Sequence, residues 1–581
     1  MVLAAWTLAA VLLPVAPLSA QVEAGDIIVR PAPTLPQGAV HGYHEHVFQI
    51  TNRSTSRAHQ VSLELPHPPT SYGGLRQIRR TFVVPADTSI RATIYQPPLS
   101  VSGGGLRVRI DGRPHPTLVT LSTSHPQQTE VYSSAASGNV KAWSLLTSQR
   151  VDTTSMPTED GLQLLRAEIP ASTWSESWLA YSGYDGVLVT AQDLALMPVA
   201  VREALWRYVE AGGMLVAMGA SEAPIPSEAA LLGRRSLGDL TAFYAGFGVC
   251  LLGPAELDGW TATQLDQLKE SGLRTRRPWD ILRDPKKAHD QRPAIEHIFV
   301  PVRGLFLLVL VFAIVIGPVN VYFLTRRQKR IHLLWTVPAA ALATTFAVFL
   351  YAWLSEGLLK IHRSTSLTFL DQEHHRAASW GHKGYYSTLT PGNGLLFDLE
   401  TEVSAIVTAR ESYSSAQRML DLSAGMRLES GWLEARVPAY FVTRRSTTRR
   451  ERLRARLLDG AVEVTNGLGA DITALHFADN AGQIYSGQGI STGAGGRLES
   501  VGQIAGGDAD VLRDLDLVNI QAQAQALADE PWRFLQPGSY IAVLANDPFF
   551  ELGLAGAEGE ASALVYGLMG SDLGSDLGGA P

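Results

Sequence analysis

The sequence predicts a multidomain chain of α/β and all-β modules joined by a transmembrane helical hairpin. Three observations predict it. Period-two apolar runs broken by Gly, Pro and Asn recur along the chain, which holds 53 Gly and 32 Pro in 581 residues. An apolar strand–helix–strand pattern lies between Gly186 and Met218. Two uncharged apolar runs, Gly304–Leu324 and Leu333–Leu354, are each long enough to cross a hydrocarbon core of about 30 Å at about 1.5 Å per residue.

Composition narrows the function classes before any motif is considered. Charged residues make up 18% and hydrophobic residues 46%, and mean hydropathy is +0.05. That value is high for a purely soluble protein and low for a multi-span transporter. A net charge of −7 argues against bulk nucleic-acid binding. The single cysteine excludes an intrachain disulfide framework, a cysteine-based zinc site and an iron–sulfur cluster.

Taken in order, residues 1–20 carry no charge and end in Leu18-Ser19-Ala20, the pattern of a secretory signal cleaved before Gln21. A basic leader is missing, so an uncleaved anchor fits the same residues. Residues 21–130 read as an immunoglobulin-like β-sandwich. Phe48 and Ile50 alternate with Gln49 and Thr51, and Val61, Leu63 and Leu65 alternate with Ser62 and Glu64. Leu106, Val108 and Ile110 continue the pattern. From 131 to 253 the pattern becomes α/β. Gly186–Thr190 is an apolar run expected of a strand buried on both faces, Pro198 opens a helix striped by Val201, Ala204, Leu205 and Tyr208, and Gly212-Gly213 end it before Met214–Met218. Such a unit implies a right-handed parallel crossover.

Residues 254–303 are expected to be a helical juxtamembrane linker, with spans at 304–324 and 333–354 around a short loop, 325–332. Four Lys/Arg in that loop place it in the cytoplasm, and the signal segment places both large outer regions on the opposite side. Within the first span, Pro318 and Asn320 put a helix breaker and an amide at membrane depth. They suggest either contact with another membrane subunit or a hydrogen bond inside the hairpin, toward Thr344 or Thr345, the second being favoured. Residues 355–505 read as β-rich, 506–568 as an α+β region with a helix over Asp508–Ala528, and 569–581 as a disordered tail.

The stretch Tyr184-Asp185-Gly186-Val187-Leu188-Val189, Leu194, Pro198 to Glu210 and Ala211-Gly212-Gly213-Met214-Leu215-Val216 resembles the class I glutamine-amidotransferase fold, a flavodoxin- or Rossmann-like α/β arrangement. It is most similar to the degenerate version in bacterial membrane proteins and in auxiliary components of ABC-type and gliding-motility systems. Gly317-Pro318-Val319-Asn320, Thr368-Phe369-Leu370-Asp371, Asn466-Gly467-Leu468-Gly469 and Pro537-Gly538-Ser539-Tyr540 resemble an uncharacterised family of bacterial two-span membrane proteins. Catalytic amidotransferases carry Gly-x-Cys-x-Gly on a strand-to-helix elbow and a later His. Here Met214–Met218 is followed by Gly219-Ala220-Ser221-Glu222, and Cys250 lies in an apolar run, so the resemblance implies a pseudo-enzyme.

Other chemistry is weighed residue by residue. His41, His44, Glu45 and His46 could offer imidazoles to a metal, but lack a clear fourth ligand, and an exposed strand start is favoured. Asp371, Glu373, His374, His375 and His382 fit a hairpin better than a metal site. Gly489-Ile490-Ser491-Thr492-Gly493 matches a hydrolase nucleophile motif in letters but lies in β surroundings. No phosphate-cradling Gly-rich loop with a Lys occurs. Arg450, Arg452, Arg454 and Arg456 line one face of an expected strand, suited to an anionic ligand or lipid headgroup, although a solvated face is the commoner case. No cofactor is expected.

The sequence thus leads to a non-enzymatic, membrane-anchored envelope protein of the bacterial inner membrane, with both large regions periplasmic. By resemblance its role is that of a scaffold or accessory subunit, with an ABC-type permease or ATPase as partner. An envelope hydrolase using the α/β module and a glycan- or lipid-binding receptor are the alternatives.

Overall fold

In the computed structural model the chain is mostly β-sheet, with 47% of residues in strands and 19% in helices. It describes residues 18–569 apart from 20, 37–40, 67–74, 98–104, 120, 122–142, 150–161, 223, 225–231, 238–239, 256–259, 262, 265, 269–283, 296–301, 327–332, 357–358, 408–417, 459–460 and 505–525. The signal segment apart from Leu18-Ser19, the basic part of the 325–332 loop, nearly all of the helix expected over Asp508–Ala528, and the tail from 570 lie outside the described residues.

The α/β module is a seven-stranded sheet. Its spatial order is Leu162–Arg166, Trp143–Thr147, Gly186–Thr190, Met214–Met218, Gly248–Gly253, Leu240–Ala245, Gly233–Leu237. The first five strands are mutually parallel and the last two antiparallel. Gly186–Thr190 and Met214–Met218 pair from Val187↔Leu215 to Thr190↔Met218, and the second is buried throughout. The helix between them, Val199–Glu210, starts at Pro198 and buries Val201, Ala204, Leu205, Tyr208 and Val209. We call it the hub helix because sheets pack on both its sides.

Two β assemblies flank this module. One is a sandwich of a four-stranded sheet, Val22–Ala24, Ile27–Pro31, His44–Asn52 and Thr88–Gln96, against a seven-stranded sheet. The second sheet mixes distant parts of the chain. Leu75–Val84 pairs in parallel with Arg418–Asp421, which leads on to Met426–Leu428 and Leu395–Phe397. Leu420, Met426 and Leu428 thereby enter the same apolar core as Ile50, Val61 and Ile78. The other assembly is an eleven-stranded sheet built from residues 360–568, ending at the edge strand Arg452–Leu458.

The transmembrane hairpin is not formed. Among the described residues no helix is long and apolar enough to cross a membrane. In the first apolar run Pro318 lacks an N–H, and the helical ladder widens to a π-turn over Val315–Val319. The run is thereby divided into Val302–Ile314 and Asn320–Arg326, and the 13-residue first piece reaches about 20 Å. This piece falls short of a hydrocarbon core of about 30 Å. The second helix, Leu333–Glu356, contains Pro338. This corrects the fold class, the spans at 304–324 and 333–354, the cytoplasmic placement of 325–332, the membrane anchor and the two-span inner-membrane location. Asn320 does bond inside the helix pair, but to Thr336 Oγ1 at 3.0 Å. Thr344 and Thr345 turn back to the carbonyls of Ala340 and Ala341. Pro318 sits in the π-turn with its side chain exposed.

The composite sheet makes a thermodynamic prediction. Ile78→Ala, at a fully buried position, should cost about 2–5 kcal/mol in urea unfolding. Hydrogen exchange should then rise together in 59–66, 75–84 and 418–428, because these segments share one sheet and one core.

Candidate functional site

The resemblance to amidotransferases would place a nucleophile just after Met214–Met218. There the chain turns at Gly219 with φ +70, and a Cβ at this position would lie 2.8 Å from Ala255 Cβ. Glycine is therefore required at this turn, as at the first position of an elbow, but Ala223 stands where the elbow's second glycine would be. Ser221 between them is exposed. Cys250 is fully buried in mid-strand, opposite Leu215 and Phe243, and burial pushes its thiol up to about 12. A nucleophilic cysteine needs the opposite shift. Gly489–Gly493 is the turn of a hairpin, with glycines at φ +66 and +76 and Thr492 held by Asp471, so Ser491 is on a loop.

The dense polar chemistry lies instead at the C-terminal end of the hub helix, where three parts of the chain meet. Arg444, 2% exposed, is the centre. Its Nε donates to Glu402 Oε2 at 2.5 Å, and its two amino groups donate to the carbonyls of Ala211 (3.3 Å) and Ser182 (3.1 Å). The guanidinium lies 5.5 Å from the ring of Trp178 and 5.8 Å from that of Trp380. Trp380 Nε1 also donates to Ala211 O, at 2.8 Å. Burial raises the Glu402 carboxyl, while Arg444 beside it acts in the opposite sense.

His41 brings the N-terminal sandwich to the same point. Its Nδ1 is 3.0 Å from Ser182 O and its Nε2 is 2.9 Å from Asp185 Oδ1, while Asp185 also accepts from Ser144 N. Tyr43 N donates to Ser182 Oγ, and Tyr43 Oη to Val403 O. Between them Gly42 has φ +67, and a Cβ there would fall 2.1 Å from Ser182 O. Only glycine allows this approach.

A cleft opens beside the junction, lined in part by Glu210, Gly246, Phe369, Asp371, Arg376 and Tyr566. Arg376 grips Glu210 bidentately at 2.6 and 2.9 Å and reaches Glu203 at 2.8 Å, while Ser446 Oγ also donates to Glu210. His374 closes back on Asp371 at 2.7 Å. These charges are spent on one another and on joining the hub helix to the eleven-stranded sheet.

The remaining residues singled out from sequence are dispersed. His46 meets Gln96 at 2.9 Å and stacks edge-on with His44, and Glu45 accepts from Ser175, its carboxyl raised by burial. His46 and Glu45 are buried, so the stretch is not an exposed strand start. His382 is held down to about 4 by burial, then by Arg292. Among the described residues no three His, Cys, Asp or Glu are grouped to hold a metal. Arg452, Arg454 and Arg456 are exposed on one face of the edge strand, and Arg450 is exposed just before it.

Sequence reasoning did not single out Arg444. The available signal was its position two residues after Tyr440-Phe441-Val442, since a charge continuing an apolar strand is buried with a partner or not at all. The partner Glu402 is 42 residues away and carries no local mark. In comparisons with known proteins, the chain matches no protein-family model and none of the curated proteins.

Two outcomes follow. In native protein Cys250 should remain unmodified by iodoacetamide up to about pH 10, where an ordinary thiol with a pKa of about 8.5 reacts fully, and should react on unfolding in urea. Arg444→Met and Glu402→Gln should each cost about 3–5 kcal/mol by leaving a buried partner uncompensated. The double substitution should cost less than their sum, which a double-mutant cycle in urea reads directly.

Proposed function

We propose that this protein is a non-enzymatic scaffold whose amidotransferase-like α/β module has become a structural hub, acting as an accessory subunit of an ABC-type transport or export assembly. The observation that carries the scaffold reading is the use made of the hub helix. Its C-terminal end is closed over by Arg444, Arg376 and Trp380 from one β assembly, and the neighbouring Ser182 turn by His41 and Tyr43 from the other. A catalytic α/β module keeps its reactive groups at an open crevice. This one buries its only thiol and spends its charged groups on holding other modules in place. The transport partner rests on the resemblance of the 184–216 stretch to auxiliary proteins of such systems.

Crosslinking of the full-length protein in its native cells, followed by affinity recovery, tests the partner. Stoichiometric recovery of an ABC-type ATPase or permease is expected, and recovery of the chain alone overturns that assignment. A hydrolase screen tests the scaffold reading separately. Turnover abolished by Cys250→Ala, Ser221→Ala or Ser491→Ala would replace it with an enzyme.

A further inference from the structure

The basic stretch from Arg444 to Arg456 divides into two chemically distinct halves. Arg444, Arg445 and Arg449 pair within the chain, to Glu402, Glu551 and Glu451. Arg452, Arg454 and Arg456 behave differently. They stand exposed on one face of the edge strand while Leu453, on the other face, is 1% exposed in the core. Among the described residues none of these three is in an ion pair. Opposite them on the neighbouring strand Ala461–Gly467 are Gly467, Thr465 and Glu463, and Glu463 is itself flanked on its other side by Arg497. The face therefore carries an excess of positive charge in a chain of net charge −7.

The backbone beside this row is equally distinctive. The strand is the last of its sheet. The side-chain amide of Gln372 bonds both main-chain groups of Leu453, accepting from its N–H at 2.6 Å and donating to its carbonyl at 3.0 Å. An amide that takes both groups of one residue stands where one residue of a neighbouring strand would be. It also shows which way the edge points. Along a strand the main-chain groups of alternate residues face the same side, so those of Ala455 and Leu457 point outward with those of Leu453.

We propose that this edge is a docking surface for an extended acidic segment of a partner protein, which adds as a further strand beside Arg452–Leu458. Main-chain bonds to Ala455 and Leu457 continue the ladder that Gln372 begins. The arginines repeat every second residue, about 6.8 Å apart, and an incoming strand has the same repeat. Acidic side chains at alternate positions of that strand then meet successive guanidinium groups. Charge complementarity sets both the partner's sign and its spacing.

The test uses the full-length protein and a fluorescent peptide of about nine residues with glutamate at every second position, read by anisotropy. Binding is expected, weakening as salt rises from about 50 to about 300 mM. The triple variant Arg452→Gln, Arg454→Gln, Arg456→Gln should weaken it about tenfold or more. Methylating the peptide's backbone nitrogens, which removes ladder bonds and leaves both the charge and the protein untouched, should weaken it comparably. A peptide of the same composition with its glutamates in one block should bind less well. Unchanged binding by the triple variant overturns the proposal. So does equal binding of the methylated or blocked peptides, or preferential binding of heparin or polyphosphate, each of which would make the face a general polyanion site.

Discussion

The arrangement of this protein depends on keeping one buried guanidinium satisfied. Arg444 lies between two tryptophan rings, with Glu402 on its Nε and two main-chain carbonyls of the α/β module on its amino groups. An isolated charge in such surroundings is prohibitively costly, so every group that solvates it must be in place at once. Those groups come from the eleven-stranded sheet, the hub helix and the turn at Ser182, and Ser182 is also where His41 and Tyr43 dock the N-terminal sandwich. The relative placement of three modules is thereby tied to one set of hydrogen bonds.

The same constraint fixes how the α/β module packs against its neighbours. Parallel strands and a crossover helix persist because they are the cheapest way to bury a continuous apolar layer. Ser221, two residues past the turn glycine, is exposed, and the thiol sits in mid-sheet with its proton held by burial. Arg376 and Glu210 meet as a bidentate pair at the rim of a cleft, binding module to module.

Where sequence reasoning succeeded, the signal was local. The strand Gly186–Thr190, the helix from Pro198, the glycine stop and the strand Met214–Met218 are each legible within about a dozen residues, because periodicity and capping act over that range. The exposed arginine row was legible for the same reason. The apolar runs at 304–354 misled because hydropathy counts side chains and ignores the ladder, while Pro318 in the first run opens a π-turn that shortens its helix. Adding Arg418–Asp421 to a sheet begun by Leu75–Val84 was beyond any window, since pairing over more than 300 residues leaves no periodic trace.

The sequence by itself determined the strand–helix–strand unit from Gly186 to Met218, that its only cysteine lies in an apolar run, and which face of Arg452–Leu458 carries charge. Those properties follow from alternation, caps and neighbours along the chain. Tertiary structure decided which charges are buried and which stay exposed. Arg444 and Arg452 look alike in the sequence, and only the arrival of Glu402, Trp178 and Trp380 around the first separates them. Desolvation depends on what folds against a residue, and that is set by contacts from distant parts of the chain.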